Sequence, residues 1–439
     1  MIKELPQDWK WVKLGEVCKL KNGFAFKSTD YINEGIPVIR ISDIKSGSVK
    51  PDKSVRVSSK KDYEEYIVTE NEILVAMSGA TTGKFGIFRS KEKAYQNQRV
   101  GKFQIHNKMN LDNEFLLYQL HALKRQIEKD AYGGAQPNIS SAKIEAMEIL
   151  LPPLPTQQAI VAKIEELFSE LDKGIEQLKT AQQQIKTYRQ AVLKWAFEGK
   201  LTSLNHDSFD LVDEYDLNTN NQGNPDNHTN HRSDKSELPK GWKWVKLKEI
   251  AKDISDGDHQ APPKSNTGVP FITISNVNKE NNKINFSDTF SVSEEYFKKL
   301  KINRKPLKGD VLYTVTGSFG IPILIDFEKD FCFQRHIGLV RPLETTNQKW
   351  LYYLLQSPDV FNQAKSTATG TAQKTVALNS LRNFEVPYCK IEEQHQIVQA
   401  IESRLSVADK LEESIAQSLQ QSEALRQSIL KKAFEGRLV

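Results

Sequence analysis

The stretch TQQAIVAKIEELFSELDKGIEQLKTAQQQIKTYRQAVLKWAFEGK, residues 156–200, decides the fold. Its larger apolar residues fall at Ile160, Ile164, Leu167, Leu171, Ile175, Leu178, Ile185, Tyr188, Val192 and Trp195. Steps of three and four, broken by one of seven, trace the narrow seam of a coiled-coil helix. Gln, Lys, Glu and Ala fill the other positions and favour helix on their own account. Thr156 can cap the start, and Gly199 can end it. A rod on the order of 65 Å long with a single seam predicts a partner helix.

The chain carries that partner. Residues 392–437 read EEQHQIVQAIESRLSVADKLEESIAQSLQQSEALRQSILKKAFEGR, with a seam at Ile397, Ile401, Leu405, Ala408, Leu411, Ile415, Leu419, Ser422, Leu425 and Ile429. Gln157 matches Gln394 and Phe197 matches Phe434, each pair 237 residues apart, and AFEGKL and AFEGRL close the two copies. Pairing is expected through Ile164, Leu171, Leu178 and Ile185 of one helix and Ile401, Leu411, Ile415 and Leu425 of the other. An antiparallel arrangement with pseudo-two-fold symmetry is favoured, because parallel helices would force the connecting segment back along the whole rod.

The repeat extends upstream. LPQDWKWVKLGEV at 5–17 returns as LPKGWKWVKLKEI at 238–250. Its tryptophans read as core packing, with base stacking as the alternative. IPVIRISDI (36–44) and VPFITISNV (269–277) read as strands, as do EILVAMSG (72–79) and DVLYTVTG (310–317) with their return strands. QNQRVGKFQI (96–105) matches FQRHIGLVRP (333–342), and helices are expected over 112–128 and 347–365. The Gly-rich polar loops YGGAQPNIS (132–140) and ATGTAQKTVAL (368–378) precede the last strands, MEILLPPL and FEVPYCKI. The predicted class is α+β, with two mixed α/β domains at 1–154 and 238–390. Each is followed by a long helix, at 155–202 and 391–439, and a polar linker occupies 203–237.

The linker is Asn-rich and aperiodic with a net charge of −6, against +5 for the whole chain, so the remainder is basic enough to suit a polyanion partner. His206, His228 and His231 within it lack metal-site spacing. Cys18, Cys332 and Cys389 are scattered and odd in number, which argues against a disulfide framework. The opening residues lack the apolar core of a signal peptide and no run reaches membrane-spanning length, so the cytoplasm is the expected compartment.

Two β-rich domains opening LPxxWxWVKL, alternating with long helices that begin near Gln157 or Gln394 and end FEG(K/R)L, resemble the specificity subunit of type I restriction-modification systems. The resemblance runs from Leu5 to Leu438, and DGDHQAPP at 256–263 resembles the start of a target-recognition domain. It implies a DNA-binding, non-catalytic subunit of a host-defence complex. Each domain would read half of a bipartite asymmetric site, and the helices would act as spacer and docking platform. Partners implied are double-stranded DNA, two modification subunits that bind S-adenosylmethionine and methylate adenine, and restriction subunits. No cofactor is expected in this chain itself, and no membrane contact.

The residues agree with a binder. The Gly-rich cofactor turn and the Pro-Pro-aromatic motif of an adenine methyltransferase are missing, and GATTGKFG at 79–86 does not satisfy the phosphate-loop pattern. A coiled-coil interaction scaffold without DNA specificity stays open. Base reading calls for bidentate donors and acceptors on polar loops. The candidates are Thr81, Thr82, Lys84, Gln98, Arg99, Gln136 and Asn138 in the first domain. In the second they are His259, Gln260, Lys264, Gln334, Arg335, His336, Gln373 and Lys374. No residue is assigned a catalytic or metal-binding role.

Overall fold

A computed structural model describes residues 8–45, 47–131, 137–203, 237–259, 262–371 and 373–439. The chain forms two units, Met1–Leu178 with Ala416–Val439, and Lys179–Ile415. The expected linker, with its three histidines, lies almost wholly outside the described residues.

Both units build on one framework. In the first, the opening strand Lys10–Lys13 pairs antiparallel with Glu148–Leu151, the strand that leads into the first long helix. In the second, Lys243–Lys246 pairs with Glu385–Tyr388 in the same way. Strand alternation buries Val12 and Val245 in this ladder, while Trp11 is 53% exposed. Core packing therefore accounts for Trp242, which is buried and donates its indole N–H to Glu393 Oε1 at 2.8 Å, but not for Trp11.

The main sheet of unit 1 runs Cys18–Asn22, Val100–Ile105, Ile73–Ala76, Phe85–Phe88, Gly47–Val49, Ile44–Lys45. Its counterpart in unit 2 runs Ala251–Asp256, Ile337–Pro342, Val311–Thr314, Pro322–Leu324. A smaller mixed sheet sits in each unit, built on a parallel pair: Ile36–Ile39 with Ala94–Gln96, and Val269–Ile272 with Cys332–Phe333. The strands expected at 36–44 and 269–277 are each broken in the middle. Asp43 accepts from the Arg40 backbone N–H at 2.9 Å and Asn276 from that of Thr273 at 2.9 Å, folding the chain into a short turn of 3₁₀ helix. The helix expected at 347–365 is likewise two, Gln348–Gln356 and Pro358–Thr367, because Ser357 caps the second and Pro358 cannot continue the first.

The long helices span Leu154–Phe197 and Ile391–Phe434. Near the start of each, a fully buried glutamine ties helix to domain. Gln157 accepts from the Asp112 N–H and donates to the Asn110 and Pro152 carbonyls, at 2.8, 2.8 and 2.9 Å. Gln394 repeats this with the Asn347 N–H and the Thr345 and Cys389 carbonyls, at 2.8, 3.2 and 2.9 Å.

Each helix ends in the core of the other unit's domain. Ile429, Leu430, Ala433 and Phe434 join Ile160, Ile164 and Phe115 in the core of unit 1, Phe434 meeting Phe115 edge-on at 5.4 Å. Val192, Trp195 and Phe197 join Ile397, Ile401 and Trp350 in unit 2, Phe197 meeting Trp350 edge-on at 5.6 Å.

The seam differs from expectation at two places. Ile164, Ile185, Ile401 and Ile415 are buried and Leu171 and Leu178 partly so, but Leu411 and Leu425 are each 51% exposed. Glu412 and Arg426, one residue on, take the inward places, because their aliphatic stems pack while their charged ends find partners. Arg189 bonds Asp409 and Glu412 at 2.5 and 2.9 Å in unit 2. In unit 1 Arg426 bonds Asp172 and lies 4.5 Å over the Phe168 ring. Arg426→Ala is expected to cost about 1 kcal/mol, the sum of a stacked cation and a half-exposed ion pair. Arg426→Lys should recover only part of it, since the planar stack is lost; urea titration of the variants checks both.

Candidate nucleic-acid interface

Four segments that are far apart in sequence converge at one place in each unit. The Gln-Arg segments do not run straight. They turn between the small sheet and the main sheet, closed by Val100 N–H to Asn97 O at 2.9 Å and Ile337 N–H to Gln334 O at 3.1 Å. Against this turn lies the segment after the first strand of the main sheet, through the bridges Phe24–Asn97 and Asp258–Gln334. The approach is so close that only glycine fits. A Cβ at Gly23 would stand 2.2 Å from the Gln96 carbonyl oxygen, and one at Gly257 2.0 Å from that of Phe333.

The remaining two loops are laced to the turn by backbone bonds. In unit 1 Met77 N–H reaches Arg99 O at 3.0 Å, Gly79 N–H reaches Pro137 O at 2.9 Å, and Ile139 N–H reaches Met77 O at 3.0 Å. In unit 2 Val315 N–H reaches His336 O at 2.9 Å, Gly317 N–H reaches Lys374 O at 3.0 Å, and Val376 N–H reaches Val315 O at 2.8 Å. The described parts of the loops singled out in the sequence are thus joined by main-chain bonds into one surface per unit.

The candidate residues differ in what they can do there. Lys84, Gln98, Arg99 and Asn138 are exposed in unit 1, as are His259, Lys264, Arg335, Gln373 and Lys374 in unit 2. Gln334 and His336 are half-buried. Burial, with Arg335 beside it, holds the His336 imidazole below its usual value, so it is neutral at pH 7 and can both donate and accept. Thr82 is buried and donates its hydroxyl to Gly79 O at 2.7 Å, which makes it a turn residue; the Thr81 hydroxyl is buried too. Lys264 lies 5.2 Å over the Phe290 ring. Gln136 and Gln260 fall outside the described residues.

Two residues that sequence reading passed over belong to this surface. Tyr296 donates its hydroxyl to Asp258, and Arg304 lies 3.8 Å from Asp256 and 3.7 Å from Asp258. Burial, then the Asp258 carboxylate, raises the Tyr296 phenol well above its usual value, so it stays a donor. Their partners lie 38 to 48 residues upstream and have no counterpart in the first copy, so neither spacing nor repeat could have found them.

Other chemistry is sparse. Burial pushes the thiols of Cys18, Cys332 and Cys389 up to about 12, which leaves them unreactive. Among the described residues no group of three or more His, Cys, Asp and Glu side chains is placed to hold a metal, and no helix is long and apolar enough to cross a membrane. A cleft of about 930 Å³ in unit 1, bounded by Trp11, Gln119, Gln126, Lys143, Leu430 and Phe434, shares no residue with the loop surface.

The type I restriction modification DNA specificity domain matches twice, at residues 6–181 and 239–421, and the chain belongs to this family. It is 27% identical over 99% of its length to the type I restriction enzyme EcoBI specificity subunit of Escherichia coli, of which it covers 87%. Against the EcoKI specificity subunit of Escherichia coli strain K12 the identity is 24%, covering 99% of this chain and 90% of the relative. Two solved structures share the fold. A chain of a type I R-M system, determined for its complex assembly and conformational transition, matches with TM-score 0.68, 20% identity and 99% coverage of both chains. The HsdS subunit from Thermoanaerobacter tengcongensis gives TM-score 0.58 and 20% identity, covering 99% of this chain and 98% of that one.

Proposed function

We propose that this chain is the sequence-reading subunit of a type I restriction-modification complex, each loop surface taking one half of a bipartite, asymmetric DNA site. The observation that carries this is the pairing of one shared framework with two different sets of loop residues, in a family named for DNA specificity. The framework gives both domains the same way of approaching a groove. The loop side chains make the two readings differ. Exposed Lys84, Arg99, Lys264, Arg335 and Lys374 would hold phosphates, and the amides and histidines would address base edges.

The long helices pair as an antiparallel coiled coil and present their outer faces to two modification subunits. The cross-helix ion pairs Arg189–Asp409 and Arg426–Asp172, which the repeat maps onto each other, support that pairing. Adenine methylation belongs to those partner subunits, which supply S-adenosylmethionine, and restriction subunits join the same assembly. This chain contributes recognition and no reacting group.

A domain exchange tests the reading. Residues 1–154 are replaced by the matching segment of a relative with another target, and the methylated sites in cellular DNA are mapped. One half of the site should change completely and the other stay as it was. Each mismatched base of the old half-site should cost about 1–3 kcal/mol in binding. A change in both halves, or in neither, would overturn it.

A further inference from the structure

Gly23 and Gly257 occupy the same place in the two frameworks, and their neighbours differ in kind. In unit 1 the adjoining Phe24 joins an aromatic cluster with Phe26, Tyr63 and Tyr66. In unit 2 the equivalent stretch is Asp256-Gly257-Asp258-His259, and the packing is replaced by a polar network. Asp256 divides its carboxylate: Oδ2 lies 2.8 Å from His259 Nε2, and Oδ1 faces Arg304 Nη2 at 3.8 Å. Asp258 divides its own between Arg304 and the Tyr296 hydroxyl. Its main chain is fastened to the Gln-Arg turn, with Asp258 N–H to Phe333 O at 3.1 Å and Arg335 N–H to Asp258 O at 3.0 Å. The His259 side chain, at the end of this network, is 57% exposed.

We propose that His259 reads the exocyclic amine of an adenine or cytosine in the second half-site, and that Asp256, oriented by Arg304, sets which ring nitrogen faces the base. The carboxylate can only accept, so an imidazole with one ring proton carries it on Nε2. Nδ1 is then left with a lone pair. In the major groove an acceptor complements adenine N6 or cytosine N4, the amine-bearing bases, and is mismatched against the carbonyl oxygens of guanine and thymine. Asp256 acts through His259 and is a positioning residue; Asp258, itself held by the Tyr296 hydroxyl, holds the other end of Arg304. No such device stands at the matching place in unit 1, where Ala25 replaces the histidine.

The inference rests on the proposed function, and one experiment separates the two. The full chain is assembled with its modification subunits and offered a randomised DNA library, and base frequencies around methylated adenines are read by sequencing. The wild type should show adenine or cytosine at one position of the second half-site. His259→Ala should weaken that preference about tenfold or more at this position alone, with an unchanged melting temperature because the side chain is exposed. In Asp256→Asn the Arg304 guanidinium draws the amide oxygen, so the amide NH₂ turns to His259 Nε2 and drives the ring proton to Nδ1. Preference should then move toward guanine or thymine at the same position, an outcome that mere loss of structure would not produce. Base frequencies unmoved by His259→Ala, or equal loss on all sequences with either variant, would overturn the inference. A wild-type complex that methylates no bipartite site would instead overturn the functional reading beneath it.

Discussion

Gln394→Leu is expected to lower the stability of unit 2 by about 2–4 kcal/mol, and Gln157→Leu that of unit 1 by a similar amount. Each glutamine is fully buried and makes three bonds to main-chain groups, one of them a buried carbonyl. Leucine fills the volume, yet strands the buried carbonyl of Cys389 or Pro152 and the part-buried N–H of Asn347 or Asp112, at about 1–3 kcal/mol for each group, while the Thr345 carbonyl keeps the Tyr388 hydroxyl. The bonds are a joint as well as a source of stability. They fix the strand leading out of the domain, the loop before the short helix and the first turn of the long helix against one another. Urea unfolding followed by tryptophan fluorescence should show the transition of the altered unit moving to lower denaturant. An unmoved midpoint would mean that the joint is dispensable.

Ile401→Asp should be at least as damaging, and Leu411→Asp almost silent. Ile401 is fully buried among Val192, Trp195 and Ile397, and a carboxylate there has no partner. An uncompensated buried charge costs about 3–5 kcal/mol. Leu411 is half exposed, where most substitutions fall within about 0.5 kcal/mol. Heptad reading treats the two leucine-and-isoleucine positions alike, so the contrast tests which face of the helix turns inward. Equal losses in the two variants would restore the simpler seam.

That contrast shows where sequence reading succeeds and where it stops. The long helices were legible because steps of three and four sustained along 44 residues are hard to counterfeit, and the repeat because WKWVK, the Gln-Arg segments and FEG recur in the same order at offsets of 233 to 237 residues. The convergence of the polar loops was not legible, since it depends on main-chain bonds such as Met77 to Arg99 and Gly79 to Pro137, which leave no side-chain signature. Leu411 and Leu425 misled because periodicity counts apolarity, whereas Glu412 and Arg426 pack their stems and carry their charge to partners. Asp43 and Asn276 broke strands that β-propensity alone would have continued.

The exchange of helix ends has a consequence for how the chain is made. Unit 2 comprises Lys179–Ile415, so all of it is synthesised, and emerges from the ribosome, ahead of the closing segment of unit 1. The domain translated first is therefore completed last. Between the emergence of Ile164 and that of Phe434, translation at about 5–20 residues per second leaves an interval on the order of tens of seconds. During it Phe115, Ile160 and Ile164 lack the apolar cover that Ile429, Leu430, Ala433 and Phe434 will provide. A nascent chain in that state offers a sticky groove shaped for the tail of a specificity helix, and the tail of a neighbouring chain on the same messenger would fit it as well as its own.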